Sequence, residues 1–156
     1  MRIREWNEKY SIISNKYSAM YHSVAVKYGF SDTQYWILYI LYNFNGKKSY
    51  TQNEIAVELG APKQTVNSAI AKFVKEGYLC LTKRPGPRNS KTVELTEEGL
   101  ALCEKCIRPL MDAEERALMK LSEEEHIRFL EIYEKRYETI YDEVAPLLEK
   151  TNEYTE

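Results

Sequence analysis

Lys63, Gln64, Asn67, Ser68, Lys72 and Lys75 recur at spacings that put them on one face of a helix. Amide side chains at such positions can pair with adenine edges, and ammonium groups can meet guanine or backbone phosphate. Ala71 lies among them, and no carboxylate interrupts the run from Lys63 to Lys75. This chemistry suits a helix laid in the major groove of DNA. A second basic cluster, Arg84, Arg88 and Lys91, falls in the turn-rich stretch RPGPRNSK, from which it can reach phosphates or a neighbouring groove. Lys83 is a further candidate for phosphate. Cys103-x-x-Cys106 has the spacing of a redox or zinc pair. It lies inside an expected helix with no strand before it, and His22 and His126 are the only histidines, so packed thiols are the expectation. There is no phosphate-binding glycine loop, nucleophile elbow or zinc-protease helix. The sequence therefore predicts no enzyme, no cofactor and no metal site.

The elements that position the polar face are legible around it. Thr51 and Glu54 have the capping-box spacing, so a helix starts at Thr51 with Ile55, Ala56 and Leu59 on its apolar side. Gly60 can end it in the left-handed conformation, and Pro62 suits the first turn of the next helix. There Val66, Ala69, Ile70 and Phe73 form the stripe to be buried. Gly77 closes this helix. Leu79–Lys83 and Thr92–Leu95 read as strands flanking the basic turn. Taken alone, the helical pair fits either a helix-turn-helix or a helical hairpin with a solvated polar face. With the basic-tipped hairpin behind it, the stretch predicts a winged helix.

Long helices flank this region. Ile3, Trp6, Tyr10, Ile13, Tyr17, Met20 and Val24 keep a 3,4 spacing over a helix running from about Ile3 to Tyr28. Gly29 ends it, and Ser31 with Gln34 caps a second helix, apolar nearly all round and reaching about Phe44. Ser49 and Tyr50 can add a short strand edge. After the wing, Thr96 caps a helix with the stripe Leu100, Cys103, Ile107, Leu110 and Met111, which Pro109 should kink or interrupt. Ser122 and Glu125 cap a last helix to about Glu149, with a seam of Ile127, Leu130, Tyr133, Tyr137, Ile140, Val144 and Leu147. The tail from 150 to 156 is polar and expected to fray. Neither long seam has enough partner surface in so small a chain, which predicts a two-fold homodimer. Such a dimer sets two recognition helices about one DNA turn apart, on a near-palindromic site. The tyrosine-rich helices also offer an aromatic-lined ligand pocket using Tyr17, Tyr21, Trp36 and Tyr39. The chain's 13 tyrosines could equally serve as core and interface residues.

The chain has 156 residues, 44% hydrophobic and 29% charged, an ordinary composition for one domain with its own core. The N-terminus MRIREWNEKY has no apolar signal region and no stretch reaches transmembrane length, so a cytoplasmic protein without membrane contact is expected. Three cysteines do not make a disulfide framework. The net charge of −2 hides a strong asymmetry. Residues 60–96 hold seven basic groups against two acidic, whereas residues 97–156 hold eight against seventeen. Screening confines the field to roughly 8–10 Å, so the local excess of positive charge decides what this region attracts.

The pattern YTQNEIAVELGAPKQTVNSAIAKFVKEGYLCLTKRPGPRNSKTVELTEEG, from Tyr50 to Gly99, resembles the MarR family of bacterial transcriptional regulators. Its most specific parts are the run from Thr65 into Tyr78 and Leu79, and the close from Val93 to Gly99. The flanking helices match in length and order. The resemblance implies a mainly α fold with a small β-hairpin wing, a winged helix-turn-helix between N- and C-terminal dimerisation helices. It implies one domain over 1–156, with 1–30 and 100–150 for dimerisation and 31–99 for DNA. It further implies a dimeric regulator, more often a repressor than an activator, released by a small phenolic or other aromatic effector. By the same resemblance, contacts to double-stranded DNA fall on Pro62, Lys63, Gln64, Thr65, Asn67, Ser68 and Lys72, and on Arg84, Arg88 and Lys91 in the wing. The chain departs from the family where an aspartate commonly braces the wing arginine. Pro87, Arg88 and Asn89 stand there, so that brace is missing. The competing class is a dimeric winged-helix module that binds protein rather than DNA.

Overall fold

Side chains that satisfy their own backbone set most of the helix starts. In the computed structural model, which describes residues 2–83 and 91–149, the chain divides into two compact units, Met1–Met111 and Asp112–Glu156. The first unit opens with α1 (Ile3–Lys27) and α2 (Asp32–Asn43). Ser31 Oγ accepts from the Gln34 amide at 3.3 Å while Gln34 Oε1 accepts from the Ser31 amide at 3.1 Å, the expected capping box. Thr51 and Glu54 do the same at the start of α3 (Gln52–Leu59), at 3.2 and 2.7 Å. Gly60 ends α3 in the left-handed region at φ +58°.

The strand before α3, β1 (Tyr50–Thr51), lies one residue later than the sequence implied. It pairs antiparallel with β3 (Lys91–Leu95), which pairs on its other side with β2 (Leu79–Lys83), giving the order β1-β3-β2. Along β2 burial does not alternate as it does in a half-buried strand: only Leu79 is buried, and Leu81 is exposed. One of the two outer strands, β2 leaves the core after its first residue. In the central strand β3, Thr92 and Val93 are both buried.

The core is built on α2, as its all-round apolar pattern predicted. Tyr35, Ile37 and Leu38 are fully covered and join Ile55, Ile70, Phe73 and Val93 in one cluster. Full burial of such side chains stabilises by about 1.5–3 kcal/mol each. The helix after the wing is broken where Pro109 predicted an interruption: α5 (Glu97–Cys106) and α6 (Arg108–Leu118) meet at Ile107. Proline has no N–H to donate and its ring crowds the preceding turn. The Leu110 amide bonds the Ile107 carbonyl at 3.0 Å, so the buried Cys106 carbonyl takes another donor, the Tyr35 hydroxyl, at 2.9 Å. Tyr42, one face-repeat further along α2, donates to Glu104 of α5.

In the second unit, Ser122 and Glu125 cap each other at 3.2 and 2.7 Å to open α7 (Glu123–Glu149). These hydrogen bonds, first from the Ser122 backbone, hold the Glu125 carboxyl below its usual range. The tail from 150 to 156 lies outside the described residues. The seams of α1 and α7 are open: Trp6 is 62% exposed and Leu130 62%. Among the described residues, no helix is long and apolar enough to cross a membrane.

One close approach fixes the join between wing and α5. Thr96 Oγ1 accepts from the Gly99 amide at 3.0 Å and donates to the Gly77 carbonyl at 2.6 Å. A Cβ on Gly99 would stand 2.0 Å from the Tyr78 carbonyl oxygen, a backbone atom that cannot swing aside. Gly99→Ala should therefore cost about 2–3 kcal/mol and lower the melting temperature by roughly 4–10 °C. Thermal denaturation followed by circular dichroism measures this, and an unchanged midpoint would refute the contact.

Candidate nucleic-acid interface

The helix α4 (Lys63–Lys75) carries the polar face, and its rotation follows from what it buries. Val66, Ala69, Ile70 and Phe73 are buried as predicted, with Val66, Ile70 and Phe73 fully covered. Phe73 meets Phe30 edge-on at 5.9 Å and Tyr78 at 6.4 Å. With that stripe inward, Lys63, Gln64, Thr65, Asn67, Ser68, Ala71, Lys72 and Lys75 are all exposed. The start of the helix corrects the sequence reading by one position. Pro62 is the N-cap (φ −57°, ψ 133°), not a first-turn residue, and its carbonyl accepts from the Val66 amide at 3.2 Å. Its side chain caps nothing. The amides of the first turn thus keep the partial positive charge of a helix N-terminus.

The carboxylate-free face has one qualification. Glu76, the C-cap, places Oε1 4.0 Å from Lys72 Nζ. Both side chains are largely solvated, so this pair contributes little and can exchange for another anion. Lys91 is exposed but belongs to β3, opposite Lys83, rather than to the turn where the sequence reading placed it. Arg84, Arg88 and the neighbouring Pro87 and Asn89 lie outside the described residues. Glu94 on β3 accepts from the Thr82 and Thr92 hydroxyls at 3.0 and 3.1 Å, which ties the two wing strands together on one face.

The residues singled out for a ligand also come together in part. A groove of about 260 Å³ between α1 and α2 is lined by Tyr17, Tyr21 and Trp36, with Ser14, Ser18, His22 and Asp32. Tyr39 is not in the lining; it packs edge-on to Trp36 at 5.0 Å. Sequence reasoning missed His22 and Asp32, whose Nδ1 and Oδ1 lie 2.8 Å apart. A faint signal existed. Ser14, Ser18 and His22 recur every fourth residue beside Tyr17 and Tyr21, and Asp32 follows the capping serine of the next helix.

The paired cysteines have the opposite character from reactive thiols. Cys103 and Cys106 are both buried, whereas Cys80 is exposed. Burial is the main cause that pushes the Cys103 thiol up to about 12 and the Cys106 thiol up to about 11. A buried neutral thiol is neither a good nucleophile nor a ready metal ligand. Among the described residues, no group of three or more His, Cys, Asp or Glu is placed to hold a metal ion.

With this geometry in view, residues 28–88 match the model of the MarR family. No curated protein matches the sequence. Solved structures share the fold. A MarR family regulator from Neisseria meningitidis superposes with a TM-score of 0.74 at 16% identity, over 94% of this chain and 99% of its own. Staphylococcus aureus MepR in its DNA-binding conformation gives 0.73 at 20% identity, over 86% and 98%. The S. aureus MepR–DNA complex gives 0.69 at 20% identity, over 86% and 96%. The fold is thus that of a MarR-type winged helix, mainly helical with a three-stranded antiparallel sheet.

The thiol environments predict a clean chemical result. Iodoacetamide at pH 8 should modify Cys80 quickly and leave Cys103 and Cys106 until the protein unfolds. The raised thiols also stabilise the fold fully below their ordinary value of 9.0, a contribution lost as pH rises toward 11 and 12. Mass spectrometry of native and urea-treated samples distinguishes the sites. Equal native reactivity at all three would contradict the buried placement.

Proposed function

We propose that this chain, whose winged helix is that of the MarR family, is a sequence-specific regulator of transcription that binds double-stranded DNA. It acts as a repressor, as a homodimer on a near-palindromic operator, and is not an enzyme. The observation that carries this reading is the rotation of α4, which buries Val66, Ala69, Ile70 and Phe73 and leaves a carboxylate-free polar face in solvent. Gln64 and Asn67 are assigned to adenine edges, Lys63 to guanine, and Lys72 with Lys75 and Lys83 to phosphate. Pro62, Thr65 and Ser68 complete the contact surface of the helix. Lys91 joins it from the wing, together with Arg84 and Arg88. Existence of a MepR–DNA complex in the same fold supports the class of partner.

The open seams support the second copy. Exposed apolar rows on α1 and α7, such as Trp6, Ile13, Leu130 and Tyr137, are the kind of surface that marks an interaction site. Residues 1–30 and 100–150 are assigned to this dimerisation and 31–99 to DNA. A two-fold dimer brings two α4 helices to successive major grooves, about 34 Å apart. The groove holding Tyr17, Tyr21 and Trp36 is assigned to a small aromatic effector whose binding releases the operator.

Fluorescence anisotropy with a duplex from the region flanking the gene, beside a scrambled duplex, tests the reading at several salt concentrations. Wild type should prefer the native duplex and lose affinity steeply with salt. Asn67→Ala should lose about 1–3 kcal/mol of that preference. Lys72→Ala should weaken both duplexes alike and flatten the salt slope by about one per lost phosphate contact. If neither this duplex nor a genomic-fragment selection yields a preferred site, the regulator reading fails and a protein-binding module takes its place.

A further inference from the structure

We propose that the groove between α1 and α2 selects an aromatic cation, rather than the aromatic acid or neutral phenol that tyrosine-rich walls alone would suggest. The proposal rests on reading this groove as the effector site, and it adds the charge of the ligand. Three rings form its apolar wall. Tyr17 and Tyr21 stack at 6.3 Å with 27° between planes, and Tyr21 meets Trp36 at 5.2 Å and 67°. Ring faces attract cations through their quadrupoles, tryptophan most strongly. The same lining contains one carboxylate, Asp32, one imidazole, His22, and neither lysine nor arginine.

Asp32 is held in place. It is the first residue of α2, where the helix dipole favours a negative group. Its Oδ1 accepts from His22 Nδ1 at 2.8 Å, a contact that engages one of its two oxygens. Ser18 does not compete for a ligand charge, since its hydroxyl donates to the Ser14 carbonyl at 3.2 Å. An aromatic anion placed against these rings would meet the Asp32 charge at close range, where like charges repel most. A cation there gains both the carboxylate and the ring faces. The volume of about 260 Å³ falls just under the range of drug-sized ligand sites and fits a bicyclic skeleton.

The test uses three probes of one shape and different charge: 1-naphthylmethyltrimethylammonium, 1-naphthalenemethanol and 1-naphthoate. Titration calorimetry with the full chain should give the cation a Kd about tenfold below that of the alcohol, with naphthoate weakest. Asp32→Asn keeps the Ser31 cap, so the fold should survive. It should remove most of the cation's advantage over the alcohol, leaving what the ring faces supply, without changing the alcohol. The proposal is overturned if naphthoate binds as tightly as the cation, if none of the three binds, or if Asp32→Asn retains the full preference. The wild-type ranking alone suffices should the variant not fold. Adding the same probes to the protein–DNA complex separates the two readings. A cation that binds with the stated preference but leaves the duplex bound upholds the site and removes only its role in release.

Discussion

A helix thirteen residues long has one rotation about its axis that drives Val66, Ala69, Ile70 and Phe73 into a common core. Each of these burials contributes in proportion to the apolar area removed from water, and a turn of the helix by a third would forfeit most of it. The outward face is therefore set by the inward one. Gln64 and Asn67 need no interactions of their own to be presented, because the packing of Ile70 and Phe73 against α2 and Phe30 has already chosen their direction. The rest of the first unit serves to keep that packing rigid. Capping boxes at Ser31 and Thr51 fix where the supporting helices begin. The Tyr35 hydroxyl satisfies the carbonyl that the α5–α6 break leaves buried.

The wing is attached by a different device. Its outer strand β2 leaves the core almost at once, since only Leu79 is buried, so packing cannot hold it. It is held instead by the ladder with β3, which keeps Val93 in the core, by the Thr82 hydroxyl on Glu94, and by the Thr96 and Gly99 contacts to Gly77 and Tyr78. A helix braced by a core and a strand braced by hydrogen bonds differ in stiffness. The strand β2 should open at lower free energy than α4, as expected of a segment with few buried apolar contacts.

Much of this was legible in the sequence because it is local. Capping pairs lie three residues apart, helical stripes repeat every three or four, and Gly60 and Pro109 act on their own turn. The buried stripe of α4 and the strand bounds of β2 follow from such rules. What escaped depends on residues that only the fold brings together. His22 and Asp32 meet across the turn between α1 and α2, and the four-residue spacing of Ser14, Ser18 and His22 is only a faint pointer to the pair. Gly99 sits in a helix like any other glycine until the Tyr78 carbonyl is seen beside it. Tyr39 shares the aromatic character of Trp36 but does not line the groove, a distinction that a list of tyrosines cannot make. Pro62 shows the usual one-residue ambiguity at a helix start.

The central claim is that the exposed face of α4 reads bases. Selection of bound sequences from a random duplex pool, run in parallel with wild type and Gln64→Lys, tests it most directly. Wild type should enrich a two-fold symmetric site with half-sites about ten base pairs apart. In the variant, one symmetry-related adenine in each half-site should change to guanine while the other positions stay as they were. Enrichment of the same sequence by both proteins, or of none by either, would contradict the account.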